Sequence, residues 1–168
     1  MPQTVIQKYF TPTIVGFVFM SDRITKYLIR EYFFLGEFKH VLPIFDLTYV
    51  ENRGAAFGMG QNYNSSLLIL SAIVLGILIF FRRKWEAQEP LNWKLKWGFA
   101  LVIGGALGNL YDRIVFGSVI DFLDFYIFKY HWPAFNVADS SICIGAFLLV
   151  ISQWKQGPPN SPESAQVR

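Results

Sequence analysis

The sequence predicts an all-α integral membrane protein with four transmembrane helices and a small extracytoplasmic β element between the first two helices. Three observations predict this class. The 168 residues are 53% hydrophobic and only 16% charged, whereas soluble domains carry about 25% charged residues. Mean hydropathy is positive, and long apolar runs recur along the chain. The length fits one membrane-embedded domain, which we expect to cover residues 1–155.

The charge balance and the cysteine count exclude several other classes. The formal net charge of +3 is small and no basic stripe is present, so nucleic acid is not an expected partner. The single cysteine, Cys143, excludes a framework of intrachain disulfides. Cys143 lies within an apolar run, and we expect it to be a small buried core residue.

The first predicted helix covers residues 9–29. Its apolar core follows a lysine, as in a signal peptide. However, the polar residues Ser21, Asp22 and Arg23 follow the core in place of the small residues of a cleavage site. This pattern favours an uncleaved spanning helix. Asp22 and Lys26 are four residues apart and share one helical face, where they can pair.

The region between the first two helices, residues 31–64, is too polar to cross a membrane. Residues 43–51 alternate between apolar and polar side chains, which is typical of a half-buried strand. The Asn-Arg-Gly sequence at residues 52–54 is a turn signal, and residues 55–59 are expected to return as a second strand. The sequence therefore predicts a small β element at about residues 41–60, against the membrane surface.

Three further apolar segments predict the remaining helices. Residues 65–81 contain no charge and are followed by three consecutive basic residues. Residues 97–116 carry Gly104 and Gly108 four positions apart, a pattern that allows close contact between membrane helices. Residues 133–154 are about long enough to span a bilayer as the fourth helix.

The distribution of basic residues predicts the orientation in the membrane. With both termini in the cytoplasm, eight basic residues lie inside, namely Lys8, Arg82, Arg83, Lys84, Lys94, Lys96, Lys155 and Arg168. Four then lie outside, namely Arg30, Lys39, Arg53 and Lys129. Residues 117–132 are interpreted as an aromatic-rich outer loop. The Pro-, Ser- and Gln-rich tail at residues 156–168 is expected to be disordered and cytoplasmic.

Three of the predicted helices place polar residues at a similar depth. At about 1.5 Å per residue, Asp22, Asn109 and Asp139 lie roughly 20, 18 and 21 Å from the cytoplasmic face. An ionisable residue within a spanning helix costs roughly 2.5–3.5 kcal/mol, so Asp139 is a predicted functional residue. Asn136 and Asp139 share one helical face, as do Asn109 and Arg113. The sequence therefore predicts a polar site in the outer third of the membrane.

The residue types in this polar layer favour acid–base chemistry by two carboxyl groups. Neighbouring carboxyl groups cannot both ionise cheaply, so one keeps a proton while the other acts as a base. Such a pair can activate water and protonate a leaving amide nitrogen, which is peptide hydrolysis. Asp139 is the first candidate. The residues alone do not distinguish Asp121 from Asp124 as the second.

Metal chemistry and serine chemistry have weaker support. His40 and His131 lack the spacing of metal ligands, so we expect no metal and no other cofactor. Ser140 and Ser141 have only the distant Lys26 as a candidate base.

Two other functions remain open at this point. A small transporter also places charges within helices, although one cluster in the outer third provides no path across the membrane. A structural assembly protein accounts for the contact face of Gly104 and Gly108 but not for Asp139. The pairs Asp112–Arg113 and Asp22–Lys26 are equally well explained as charges at helix ends, at the membrane interface.

Five motifs, in this order and over nearly the whole chain, resemble the lipoprotein signal peptidases, which are the type II signal peptidases. The motifs are Asp22-Arg23-Ile24-Thr25-Lys26, Asn52-Arg53-Gly54-Ala55-Ala56-Phe57-Gly58, Gly104-Gly105-Ala106-Leu107-Gly108-Asn109-Leu110-Tyr111-Asp112-Arg113, Val119-Ile120-Asp121-Phe122 and Phe135-Asn136-Val137-Ala138-Asp139-Ser140. The resemblance implies an aspartic endopeptidase of the bacterial cytoplasmic membrane. Such enzymes remove the signal peptide from diacylglyceryl-modified prolipoproteins, just before the lipidated cysteine.

The resemblance also implies roles for individual residues. It assigns the catalytic pair to Asp121 and Asp139 and so chooses Asp121 over Asp124. The residues implied for substrate binding and support are Asn52, Gly54, Asn109, Arg113, Asn136, Asp22 and Lys26. The expected partners are prolipoproteins and membrane lipids, and the expected state is a monomer with its active site near the outer face. Residues 43–60 are expected to lie over the substrate, and the loop with Asp121 to act as a flap.

Overall fold

The computed structural model describes residues 5–54, 64–88 and 92–154. The helices are α1 (Val5–Tyr32), α2 (Asn64–Gln88), α3 (Trp93–Val115) and α4 (Val137–Trp154). The strands are β1 (Phe38–Leu42), β2 (Phe45–Asn52), β3 (Val119–Ile127) and β4 (Tyr130–His131), and they form an antiparallel sheet in the order β1-β2-β3-β4. The prediction of four helices with a small β element is therefore confirmed.

The sheet extends beyond the predicted β element, because residues 117–132 contribute β3 and β4 and are not a loop. β3 pairs with β2, with Asp121 opposite Val50. The first four residues of β3 are buried on both of its faces. Apolar residues therefore occupy both faces, and the alternation that identified β2 is missing. The branched and aromatic side chains of β3 were the remaining signal for a strand.

The helices extend beyond the apolar segments that predicted them. α2 continues through the basic residues 82–84 to Gln88, since a helix does not need to end where its apolar run ends. α4 begins at Val137, four residues after Pro133, because Asn136 caps its first turn. The predicted return strand at 55–59 and the predicted tail at 156–168 lie outside the described residues.

One described helix, α2, has the length and composition needed to cross a membrane, with a mean hydropathy of 2.3 over its most apolar stretch. α4 contains a shorter apolar run at Val137–Ser152. α1 and α3 carry the buried charged residues of the candidate site, which lower their mean hydropathy. Of the residues of α2, only Leu75 is fully buried among those described. Leu78, Ile79 and Trp85 pack partly against the core, and most of the other side chains of this helix are exposed.

α3 lies at the centre of the helices and contacts α1, α2 and α4. Glycines allow this close packing. A Cβ at Gly104 would lie 2.8 Å from Cβ of Val18 in α1, and a Cβ at Gly105 would collide with the Ala138 carbonyl oxygen in α4. The glycine face predicted from the sequence is therefore a contact face, and it serves two neighbouring helices.

Cys143 is exposed on α4 and is not a core residue, which corrects the prediction. Its neighbours Ile144 and Phe147 are exposed as well. The sequence could not indicate this, because residues 142–151 are all apolar, and their periodicity does not separate a protein-facing side from an outer side. This outer side of α4 is apolar, as expected for a surface in contact with lipid.

The sheet packs against the helices through one apolar cluster. This cluster joins Ile29 of α1, Tyr49 of β2, and Ile120 and Phe122 of β3. Ile120 and Phe122 are the two neighbours of Asp121 in the chain, so burial of both fixes the strand on either side of that carboxyl group. The fold thus places the start of β3 against the helices.

Candidate active site

Asp121 lies near the start of β3 and is only 3% exposed. Its two carboxylate oxygens accept hydrogen bonds from two asparagines on other segments. Asn52 of β2 donates from Nδ2 to Oδ2 at 3.0 Å, and Asn136, just before α4, donates from Nδ2 to Oδ1 at 2.7 Å. Two amides from different parts of the fold therefore fix the orientation of the carboxyl group.

Asp139 lies in the first turn of α4. Its Oδ1 accepts a hydrogen bond from Asn109 Nδ2 of α3 at 2.7 Å. Its Oδ2 accepts from the Asn136 backbone N–H at 3.2 Å, while the Asp139 N–H donates to Asn136 Oδ1 at 2.9 Å. This reciprocal pair is a capping box that begins α4. Asp139 therefore stabilises a helix end as well, which the sequence analysis missed.

Asn136 connects the two aspartates. Its side-chain NH₂ binds Asp121, and its backbone N–H binds Asp139. Because its Oδ1 is already the acceptor for the Asp139 N–H, its Nδ2 is fixed as the donor toward Asp121. Asn136 is completely buried, so water does not compete for these bonds.

The surroundings of Asp121 change its acidity. Burial raises the pKa of Asp121 to about 7, and the nearby negative charge of Asp139 acts in the same direction. The hydrogen bonds from Asn52 and Asn136 favour the ionised form and oppose this rise in pKa. An ordinary aspartate titrates near pH 3.9. A carboxyl group with this pKa can gain and lose a proton near neutral pH, as acid–base catalysis requires.

Four charged residues, Asp22, Arg23, Lys26 and Asp112, form a charged cluster beside this pair. Lys26 is 1% exposed. Its Nζ lies 2.9 Å from Asp22 and 2.8 Å from Asp112 and donates to Asn109 Oδ1 at 3.0 Å. Arg23 lies 3.0 Å from Asp22 and 2.6 Å from Asp112. The predicted pairing of Asp22 with Lys26 is confirmed.

Asp112 is fully buried, which contradicts its alternative interpretation as an interfacial charge at a helix end. Its sequence context predicted no role in the site. Asp112 follows Gly108 by four residues and Gly105 by seven, so it lies on the glycine face of α3. From that spacing, the sequence could have predicted that Asp112 faces the protein interior.

Arg113 binds the turn that carries Asn52. Its guanidinium donates to the Gly54 carbonyl oxygen at 3.1 Å, and the Gly54 N–H donates to Asn52 Oδ1 at 2.9 Å. The predicted turn at residues 52–54 is confirmed by this second bond, which is an Asx turn. Because Asn52 Oδ1 is occupied, its Nδ2 is free to face Asp121.

The structure therefore brings all nine predicted site residues into one network of hydrogen bonds and ion pairs. Asp124 is not at this pair. It lies three residues further along β3, where it binds His131 Nδ1 at 2.9 Å. Asp121 lies in a paired strand and not in the expected loop, and the flap role stays a prediction. Within the described ranges, no group of three or more His, Cys, Asp or Glu side chains is arranged to hold a metal ion.

The chain as a whole is similar to known proteins. The model of the family described as signal peptidase (SPase) II matches residues 14–155. The lipoprotein signal peptidase of Alteromonas mediterranea is 44% identical over 155 residues, with 90% of this chain and 84% of the relative covered. That of Haemophilus influenzae is 43% identical over 141 residues, with 82% and 81% covered.

The fold of this chain is also similar to the folds of two solved structures. A bacterial membrane enzyme solved by the in meso method at 2.3 Å resolution is similar with a TM-score of 0.79 and 34% identity. This match covers 90% of this chain and 93% of the other chain. A second bacterial membrane enzyme, solved at 1.9 Å, gives a TM-score of 0.77 and 36% identity, with 88% and 94% covered.

Proposed function

The chain belongs to the signal peptidase II family, and from that premise we propose that Asp121 and Asp139 form its catalytic pair. As a member of this family it is a membrane-bound hydrolase that removes signal peptides from prolipoproteins. The observation that carries the proposal is the position of Asn136. This one buried asparagine binds both carboxyl groups, and one of them has a pKa of about 7.

The two carboxyl groups take different roles in the proposed reaction. The Asp139 carboxylate takes a proton from water, whose oxygen attacks the carbonyl carbon of the scissile peptide bond. Asp121 donates its proton to the leaving amide nitrogen as the C–N bond breaks. Because water is the nucleophile, no covalent intermediate with the enzyme forms. The pKa of Asp121 supports its role as the acid. The position of Asp139 in the first turn of α4 supports its role as the base, because a helix N-terminus stabilises negative charge.

The predicted supporting residues orient this pair. Asn52, Asn109 and Asn136 each donate a hydrogen bond to a catalytic carboxyl group. Each carboxylate oxygen accepts one bond from them and keeps a further lone pair for water or for the substrate. Arg113 supports Asn52 through Gly54. In this proposal the substrate is a diacylglyceryl-modified prolipoprotein, cut before its lipidated cysteine.

We also propose that all four helices span the bacterial cytoplasmic membrane, with both termini inside and the active site near the outer face. The excess of basic residues on the proposed inner side supports this orientation. Exposed apolar side chains on three helices support contact with lipid, and examples are Phe17, Ile69 and Phe147. The described part of the segment predicted to cover the substrate, residues 43–54, then lies on the outer side, where a lipid-anchored substrate is available.

The catalytic pair is tested by Asp121→Asn and Asp139→Asn, assayed with purified enzyme and a lipid-modified prolipoprotein. Loss of a general acid or base typically costs about 10²–10⁴-fold in rate, so we expect each variant to lose nearly all cleavage. Because the pair acts as a unit, the double variant should be scarcely slower than either single variant.

Asp124→Asn is the matched control, since it makes the same change three residues away on the same strand. We expect it to keep substantial activity. All variants must reach the membrane in normal amounts, which separates loss of catalysis from loss of folding. Rapid cleavage by a well-expressed Asp139→Asn variant would refute the proposed pair.

A further inference from the structure

The charged cluster contacts the main chain at two positions next to the catalytic pair. Asp112 Oδ2 accepts a hydrogen bond from the backbone N–H of Ile120 at 3.3 Å, and Ile120 immediately precedes Asp121. Asp22 Oδ1 accepts a hydrogen bond from the backbone N–H of Ala138 at 3.1 Å, and Ala138 immediately precedes Asp139. Each catalytic aspartate therefore follows a residue whose N–H binds a buried carboxylate.

Lys26 joins these two contacts. Its ammonium group has three N–H donors. They face three acceptors, namely one oxygen of Asp22, one oxygen of Asp112 and Oδ1 of Asn109. Asn109 in turn donates to Asp139. The cluster thus reaches the catalytic pair by three routes, through Ile120, through Ala138 and through Asn109.

The charges of the cluster balance. It contains two carboxylates and two cations, and both carboxylates are completely buried. Arg23 lies within salt-bridge distance of both carboxylates. A buried charge is tolerated when it is paired and hydrogen-bonded, and removal of one partner leaves another uncompensated. The four side chains therefore depend on one another.

We infer that the charged cluster sets the relative position of the two catalytic aspartates, with Asp112 as a positioning residue for Asp121 and Asp22 as one for Asp139. The cluster binds the strand that carries one aspartate and the helix that carries the other. It does so from α1 and α3, which meet at the glycine face. This inference rests on the proposed catalytic pair and adds Asp112 and Arg23 to the residues on which the reaction depends.

The test is the steady-state kinetics of Asp112→Asn in the purified full-length enzyme with a lipid-modified prolipoprotein. Asparagine keeps the size and an acceptor oxygen but removes the charge that binds Lys26 and Arg23. A displacement of catalytic groups by about 1 Å can cost 10²-fold, so we expect kcat to fall by roughly 10- to 10²-fold. We expect KM to change little, because Asp112 is buried away from solvent.

The pH profile provides a readout that a purely structural role would not change. Proximity of Asp139 is one of the causes that raise the pKa of Asp121. If Asp112→Asn lets the pair separate, the pKa of Asp121 falls. The fall of kcat/KM on the alkaline side then moves to lower pH. A variant that only folded less well would lose amplitude at every pH and keep the position of this fall.

Asp124→Asn again serves as the matched control, since it makes the same substitution on β3 without touching the cluster. Asp22→Asn tests the contact between Asp22 and the Ala138 N–H, next to Asp139. It replaces Asp112→Asn if that variant does not accumulate. Asp22 and Asp112 share Lys26 as an ion-pair partner. The fall in kcat of the double variant should therefore be smaller than the product of the two single falls.

The outcomes separate this inference from the proposed catalytic pair. A normal kcat and an unshifted alkaline fall of kcat/KM in folded Asp112→Asn and Asp22→Asn, beside inactive Asp121→Asn, would overturn the positioning role alone. Active Asp121→Asn or Asp139→Asn would overturn the pair and the positioning role together. A lower kcat with a shifted alkaline fall of kcat/KM in either cluster variant supports the inference.

Discussion

At the scale of single residues, the site is built to hold a carboxylate at position 121. Both oxygens of Asp121 accept from NH₂ groups, and other contacts fix those groups as donors. Asn52 Oδ1 is occupied by the Gly54 N–H, and Asn136 Oδ1 by the Asp139 N–H. An amide at position 121 would set one NH₂ group against another, since neither asparagine can turn over without losing its second bond.

The pKa of Asp121 predicts the pH dependence of cleavage. In the proposed reaction Asp121 must carry a proton, and its pKa is about 7. We therefore expect kcat/KM to fall as the pH rises through about 7, because the acid is lost above its pKa. Initial rates measured on both sides of neutrality test this. The apparent pKa measured from this fall in kcat/KM belongs to the two coupled carboxyl groups together.

The variant Asn52→Ala tests whether this pH dependence comes from Asp121, because the direction of its shift can be predicted. The hydrogen bond from Asn52 favours the ionised form of Asp121 and lowers its pKa. Removing the bond should raise the pKa and move the fall in kcat/KM to higher pH. A shift to lower pH would contradict the assignment of this fall to Asp121.

The sequence predicted helical site residues more fully than strand residues. A helix makes positions three and four residues apart neighbours, so the pairs Asp22–Lys26 and Asn136–Asp139 were visible as spacings. The choice between Asp121 and Asp124 came only from the resemblance. In a strand, residues three apart point to opposite faces. Without the prediction of β3 that distinction was lost.

At the scale of elements, the position of α4 depends on a glycine, Gly105, which has no side chain. Gly105 lies so close to the Ala138 carbonyl oxygen that no Cβ fits between them. Ala138 precedes Asp139 and binds Asp22. A larger residue at position 105 would therefore displace the start of α4, together with the carboxyl group of Asp139, which we propose to be catalytic.

We expect Gly105→Ala to destabilise the enzyme by about 1–3 kcal/mol, as overpacking of a close contact does. Cleavage should fall with it. Gly76→Ala in α2 is the control, because no atom lies within 4 Å of the added Cβ and alanine favours a helix. Thermal unfolding in detergent measures both. Equal stability of the two variants would show that the contact between α3 and α4 can relax.

Which side of each helix faces the protein was only partly predictable. Glycines identified a contact face on α3, because small residues allow close approach. α4 gave no such signal at Cys143, because lipid and protein interior are both apolar environments. The length of an apolar segment predicts that it forms a helix. Which side of that helix faces outward depends on the neighbouring helices, and the sequence of the segment itself does not show this.

At the scale of the whole molecule, two contacts define the two ends of the helices. Asn64 at the start of α2 donates to the carbonyl oxygen of Arg113 at the end of α3, near the sheet. Thr11 of α1 donates to Glu86 near the end of α2 at 2.9 Å. Thr11 and Glu86 therefore lie at the end opposite the sheet and the candidate active site.

This arrangement predicts the topology of the chain in the membrane. With the sheet outside, Lys39 is external and Glu86 is at the cytoplasmic end. Alkaline phosphatase fused after Lys39 should be active, and the same enzyme fused after Glu86 should be inactive. The basic residues inside favour this orientation. Activity at Glu86 with none at Lys39 would reverse the orientation and move the site to the inner face.

The ion pairs of the charged cluster also constrain the order in which the protein is assembled. Asp22 finds Lys26 within its own helix, but both ion-pair partners described for Asp112 are on α1. In the proposed topology, α3 therefore brings an uncompensated charge into the bilayer during synthesis, until it docks against α1. β3 and α4 follow in chain order and bring Asp121 and Asp139. If that topology holds, the proposed catalytic pair is complete only after the last helix has been inserted.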